Sequence, residues 1–298
     1  MYLGEIAAII TAISWSISAV VFTKASEQIK TIQLNLDRLI IAFVFITLTL
    51  ILTNNKFEVN LTQVIYLSIS GLIGLSIGDT FLFRSFPLIG PRLSFMMMAL
   101  SPVFSTIFSL LIFKDNISFI NIFGICLTII GIISVIIFRN LNRDSQVEVF
   151  KFSIKGIMYA LIASLSQAFG LMFAKFANLE HSIDSFLATD IRILAAIIFL
   201  LPLSLIFKRY ELPIKFYKNK NHLLKLSILG AILGPYIGIT LSFYAIKNSS
   251  LGVASTLLAT TPLMIIPFSI FYFKEKLNAV SIIGALIAVA GIGLIFVK

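Results

Sequence analysis

Charged side chains are scarce in this chain. They make up 12% of its 298 residues, against 59% hydrophobic ones. A soluble domain is about a quarter charged, so a water-facing globule is excluded and most of the surface must face hydrocarbon. The mean hydropathy of +1.04 points the same way. Cysteine is nearly missing: the single one, Cys126, lies inside an apolar run, which excludes a disulfide framework and a thiolate metal site. The two histidines, His181 and His222, fall in polar connecting segments, where neither could serve as a buried catalytic base. No HExxH, phosphate loop or paired-carboxylate site occurs, so no metal or cofactor is expected and the chain is not read as an enzyme. Acidic residues number 13 against 23 basic ones. That excess could suggest nucleic acid, but the basic residues are scattered one or two per connecting segment rather than gathered into a stripe. Their expected partners are lipid headgroups, not nucleic acid.

What is abundant is apolar sequence in runs of about 20 residues, the length that crosses a bilayer as a helix. Ten runs are read as spans: 3–23, 34–53, 64–84, 91–112, 118–138, 153–174, 184–206, 223–245, 250–272 and 277–297. The first has no small-residue cleavage site before a polar region and is read as a span rather than a leader. Two polar interruptions are long. Residues 139–152 separate a unit at 1–138 from a unit at 153–298, and the basic segment 207–222 is expected to lie along the membrane interface. The expected fold class is an all-α polytopic membrane protein.

The two units are copies. Sliding residues 99–136 onto 259–296, an offset of 160, makes ten of 38 positions identical. Pro102 meets Pro262, Phe113-Lys114 meets Phe273-Lys274, Gly124 meets Gly284 and Gly131 meets Gly291, while Asp115 faces Glu275. The same offset extends back to Gly74 and Gly234, Gly78 and Gly238, Phe83 and Phe243. The second spans also correspond, NLDRLIIAF with Arg38 against TDIRILAAI with Arg192. Five spans per copy is an odd number, so the second copy enters the membrane from the opposite side and the repeats are inverted. A membrane protein built this way moves a small molecule through the seam between its halves. Of the 23 basic residues, 17 fall on the side of the 139–152 linker, which by the positive-inside rule puts that linker in the cytoplasm and the termini outside.

Several side chains inside the spans could carry chemistry. Asp79 is the one acidic residue that looks inserted; it reads either as a proton or cation site or as half of an ion pair with Arg84, Arg92 or another helix. Arg38 and Arg192 read as headgroup anchors, with attraction of an anionic substrate as the alternative. Thr11, Ser14, Trp15 and Ser18 share one face of span one, and Ser94, Met98, Ser101, Ser105 and Ser109 share one face of span four. Trp15 is the only tryptophan and sits near mid-span, away from the interface that tryptophan prefers. Ser164 and Gln167 occupy the corresponding span of the second half, and Tyr236, Thr240 and Tyr244 line up on span eight. Pro102 and Pro262 break matched helices near mid-membrane, each freeing a carbonyl that lipid cannot satisfy; the preceding Ser101 and Thr261 could satisfy it. Gly74-Leu75-Ser76-Ile77-Gly78 has the spacing of a serine nucleophile elbow, but an apolar helix without a histidine makes close glycine packing the reading. The glycines spaced by seven in spans five and ten read as packing notches.

These residues resemble a known family. The stretch from Ile77 to Gly131, with its IGDTFLFRSFPLIGPRLSF opening and mid-span proline, resembles the first EamA-type repeat of the drug/metabolite transporter superfamily. YAIKNSSLGVASTLLATTPLMIIPFSIFYFKEKLNAVSIIGALIAVAGI resembles the second, and AISWSISAVVFTKAS is similar to the family's first span. The resemblance implies a ten-helix inner-membrane permease that moves amino acids, nucleosides, drugs or other small metabolites by alternating access, often outward. Import by the same fold is the alternative, and an intramembrane enzyme a remote one. It also implies a central cavity lined by spans 1, 3, 4, 6, 8 and 9 and, contrary to the charge count, both termini in the cytoplasm. Expected substrate contacts are Trp15, Ser18, Ser101, Gln167, Tyr236 and Thr260, with Asp79 for coupling and Pro102 and Pro262 as the helix breaks. A monomer or weak homodimer is expected. Span one lacks the mid-span carboxylate of the related four-helix multidrug exporters, which argues against obligatory binding of lipophilic cations.

Overall fold

A computed structural model describes residues 2–53, 58–113, 118–141, 150, 153–180, 183–248, 257–275 and 279–296. Most of the 139–152 linker, together with Asp115 and His181, therefore lies outside the described residues. Among the described residues all regular structure is helical. The first repeat holds α1 (Leu3–Ser26), α2 (Thr31–Thr53), α3 (Leu61–Gly71), α4 (Asp79–Met98), α5 (Ser101–Phe108) and α6 (Phe119–Leu141). The second holds α7 (Ile154–Glu180), α8 (Ser185–Ile206), α9 (Pro213–Phe216), α10 (Asn221–Ala231), α11 (Thr240–Asn248), α12 (Thr261–Phe271) and α13 (Ala279–Ile295). Among the described residues seven helical stretches are long and apolar enough to cross a membrane, and two shorter ones are apolar.

Local chemistry sets several boundaries. Asn60 and Gln63 form a reciprocal capping box at the start of α3, with the Gln63 N–H donating to Asn60 Oδ1 at 2.8 Å. Asp184 caps α8 by accepting from the N–H groups of Phe186 and Leu187. The stretch Leu61–Ile112 runs for 52 residues, too long for one crossing at 1.5 Å per residue. It is broken at Gly90, whose φ of 80° suits only glycine, between Pro87 and Pro91. Ser94 mends the break, donating to the Gly90 carbonyl at 2.7 Å and accepting from Ser85 at 2.7 Å. The third span therefore runs on to Ile89 rather than ending near residue 84, and Asp79 lies deeper than its distance from a helix end suggested.

The duplication is visible in the backbone. Leu72–Gly78 and Ile232–Ile239 are both wound as π-helix, at positions related by the same 160-residue offset. Such turns are rare and collect at functional sites. The helices also break at matched places: α5 begins at Ser101 and α12 at Thr261, each with proline at its second position, where a missing N–H costs nothing. Thr261 Oγ1 donates at 2.7 Å to the Leu258 carbonyl that Pro262 frees, whereas buried Ser101 Oγ has no partner among the described residues. The glycine notches do pack: a Cβ on Gly124 would lie 2.6 Å from the Gly291 carbonyl, and one on Gly131 2.6 Å from the Gly284 carbonyl, so α6 and α13 meet backbone to backbone.

The basic segment 207–222 is tied down at one end. Its Tyr217 and Tyr210 hydroxyls donate to buried Asp37 of α2 at 2.6 and 3.2 Å, and Gln33 donates to the same carboxylate. Ile214 meanwhile is 92% exposed. Burial, then the Asp37 charge, push both phenols well above the usual 10.0. Their folded values lie above their unfolded ones, so this anchor is at full strength below pH 10 and is lost only as pH rises beyond it. Tyr217→Phe removes one donor from Asp37 and is expected to cost about 1–2 kcal/mol, read from thermal unfolding at neutral pH.

Candidate functional site

A charged unit sits where α2 meets the π-helical turn ahead of α4. Asn35 and Arg38 lie one turn apart on α2, and Arg38 Nε donates to Asn35 Oδ1 at 2.9 Å. Asn35 in turn donates to the Leu75 carbonyl at 3.0 Å and to Thr80 Oγ1 at 2.9 Å. The Arg38 guanidinium is ion-paired to Asp79 and lies over the Phe83 ring, 4.7 Å from its centroid. The second Asp79 oxygen accepts from Gln167 Nε2 of α7 at 2.9 Å, and the same amide reaches the Gly74 carbonyl at 3.3 Å. Asp79 is thus neither half of a pair with Arg84, which stacks over Phe81, nor with Arg92.

The second arginine is buried too. Arg38 and Arg192 are 6% and 4% exposed, which corrects the expectation that they anchor at headgroup level. Arg192 enters the same neighbourhood from α8. A Cβ built on Gly74 would lie 3.7 Å from Arg192 Nη2 and 3.5 Å from Gln167 Oε1, so the two side chains converge over a bare stretch of backbone. Hydropathy alone missed both arginines, because a charge near the start of an apolar run looks interfacial. The signal was their matched position in the two copies.

The other expected contacts are distributed around this unit. Trp15 is half-buried with its indole Nε1 against Gly238, and Ser18 Oγ donates to the Gly230 carbonyl at 3.2 Å. Both residues of α1 therefore touch the second π-helical region as Gln167 and Gly170 touch the first. Pairing Gly4 with Gly156 makes Trp15 the counterpart of Gln167 and Ser18 the counterpart of Gly170. Tyr236 is directed instead to α2, where its hydroxyl meets Thr49 Oγ1 at 3.0 Å and its ring lies 5.5 Å from Phe45. Thr260 donates to the Leu257 carbonyl at 2.6 Å. Pro102 is half-buried and Pro262 buried, each at its helix start. The buried hydroxyls of Ser101, Ser105, Ser164 and Thr240 have no partner among the described residues. Ser76, the serine of the elbow-like spacing, donates to the Ala196 carbonyl at 3.1 Å, a helix-packing contact. Arg92 of α4 pairs with Glu275, which follows α12, at 2.8 Å, both nearly buried, joining one repeat to the other.

A family model described as the EamA-like transporter family matches residues 2–137 and again 154–297, one match per repeat. The chain belongs to the EamA-like transporter family. It is also similar to an "Uncharacterized transporter" of Clostridium kluyveri, 24% identical over 142 residues. That alignment takes in 48% of this chain and 44% of the relative, so the chain spans less than half the length of the curated protein it matches. A crystal structure titled "Crystal structure of protein" superposes with a TM-score of 0.66 over 98% of this chain and 95% of that one, at 13% identity, a likeness of fold. This EamA-like protein is accordingly a multi-pass membrane protein of a transporter family, with two repeats.

Proposed function

We propose that this EamA-like protein is a secondary transporter in the cell membrane that exports small organic metabolites by alternating access. The observation that carries the reading is the matched pair of helix breaks at Ser101-Pro102 and Thr261-Pro262, beside buried hydroxyls that have no protein partner among the described residues. Polar groups without partners inside a membrane protein are costly and are tolerated where a ligand or water supplies the missing bonds. In this reading the break at Gly90 splits the 52-residue stretch into two crossings, which gives ten passes arranged as two inverted sets of five. Trp15 offers the substrate a ring face and Gln167 an amide, with Ser18, Ser101, Tyr236 and Thr260 as further contacts. Asp79 is the coupling group: protonation would cancel its charge and loosen Arg38. The Arg92–Glu275 pair holds the linker side closed while the opposite mouth opens.

The test compares extracellular metabolites from cells making the wild type and a Trp15→Ala/Gln167→Ala double variant at equal membrane abundance. A compound is expected to accumulate outside several-fold more with the wild type than with the variant. If both leave the medium like that of empty cells, export is wrong.

A further inference from the structure

The duplication lets each repeat serve as a control for the other. In the first, Asn35, Arg38, Asp79 and Thr80 form one bonded unit. The corresponding positions of the second are Thr189, Arg192, Ile239 and Thr240. Arginine and threonine are kept and the carboxylate is gone. So is the asparagine, and its loss is seen at the same atoms: Arg192 Nε and Thr240 Oγ1 are both buried without a hydrogen-bond partner among the described residues, whereas Arg38 Nε and Thr80 Oγ1 are both bonded to Asn35. Asp79 attracts both arginines but bonds only Arg38 and Gln167, so two guanidinium groups share one carboxylate and the unit as a whole keeps one positive charge. The nearest acid in sequence, Asp190, accepts instead from Thr47 at 3.0 Å, and no ion pair joins it to Arg192 among the described residues.

A guanidinium does not lose its proton in a protein, and a buried excess of one charge is among the costliest features a fold can keep. We propose that Arg192 is the anion-recognising residue of the substrate site and that its ligand is a carboxylate, which takes the place Asp79 fills in the first repeat. The inference rests on the transporter reading above. A carboxylate suits the site in charge and shape. Its single negative charge cancels the one left over, and its two oxygens match the guanidinium fork. Gly74 adds no side chain where Arg192 Nη2 and Gln167 Oε1 both come within 4 Å of its Cβ position.

The test uses purified protein in phosphatidylcholine nanodiscs at fixed ionic strength, titrated with monocarboxylates from acetate to benzoate, their neutral amides, and inorganic phosphate. Carboxylates are expected to raise Tm and the amides not. Arg192→Gln should weaken the carboxylate affinity about 10- to 100-fold, with Arg192→Lys in between. Because Arg192→Gln could disturb folding, Ile239→Asp provides a second variant: a carboxylate at the counterpart of Asp79 should raise Tm without ligand and abolish the carboxylate response. Equal stabilisation by amides, tighter binding of phosphate, or an unchanged response in Arg192→Gln would overturn the proposal. Counterflow of metabolite extracts in proteoliposomes separates the two readings. Exchange of neutral compounds alone leaves a transporter and removes the carboxylate site. Arg192-dependent carboxylate binding with no exchange leaves the site and removes the transporter. Failure of both removes both.

Discussion

Asp79→Ala is expected to lower the stability of the protein by roughly 3–5 kcal/mol, because it strands the buried Arg38 guanidinium between aromatic rings with no counter-charge. The expectation follows from geometry rather than from the presence of a salt bridge. Arg38 is 6% exposed and Asp79 6%, and Gln167 and Asn35 satisfy the remaining polar edges of the pair. An exposed pair behaves differently. Lys24 and Glu27 are joined at 3.0 Å but are close to half exposed, and removing either should leave the unfolding temperature unchanged, since water and salt screen such pairs. The double variant Asp79→Asn/Arg38→Gln removes both charges and should recover most of the loss in Tm. That variant also tests coupling. If Asp79 carries the driving proton, the double variant keeps substrate exchange in proteoliposomes and loses accumulation driven by a pH gradient. Retained accumulation would make Asp79 a purely structural partner of Arg38.

The duplication was legible because it is written in residues that cannot be exchanged. Pro102 and Pro262 sit at matched helix starts, and the pairs Gly124/Gly284 and Gly131/Gly291 sit at a backbone-to-backbone contact, so both copies kept the same letters. The family likeness and the all-helical membrane class followed from the same positions. The charged unit was less legible. Hydropathy grades a residue by its neighbours in sequence, and the burial of Arg38 depends on Asp79 41 residues away and on Phe22 and Phe83. Ser18 and Thr260 show the opposite limit. A hydroxyl on a polar stripe looks free in sequence, yet Ser18 already donates to the Gly230 carbonyl and Thr260 to the Leu257 carbonyl, which leaves each only its oxygen lone pairs for a ligand. Whether a small polar residue packs a helix or meets a ligand is decided by which carbonyl lies opposite it, and that belongs to tertiary structure.

Two glycines three residues apart should separate packing from binding. Gly71 lies where α3 crosses α8, and a Cβ there would overlap the Arg192 carbonyl, a backbone atom with no rotamer to yield. Gly71→Ala is therefore expected to push the helices apart and cost about 3 kcal/mol, at the upper end for overpacking, seen as a fall in Tm and in folded yield. Gly74 lies one turn on. Its nearest neighbour would be Gln167 Oε1 at 3.5 Å, an ordinary van der Waals contact. Gly74→Ala should fold with a Tm close to wild type, within about 1 kcal/mol, since no atom has to move. It nevertheless puts a methyl group in contact with both Arg192 Nη2 and Gln167 Oε1, the two groups a ligand of Arg192 would meet. Export should therefore drop several-fold in Gly74→Ala while the protein stays folded, whereas the loss in Gly71→Ala should scale with the protein that survives. If Gly74→Ala exports like wild type, the bare backbone over Arg192 is only a packing surface between α7 and the π-helical turn, and the ligand lies elsewhere along the seam.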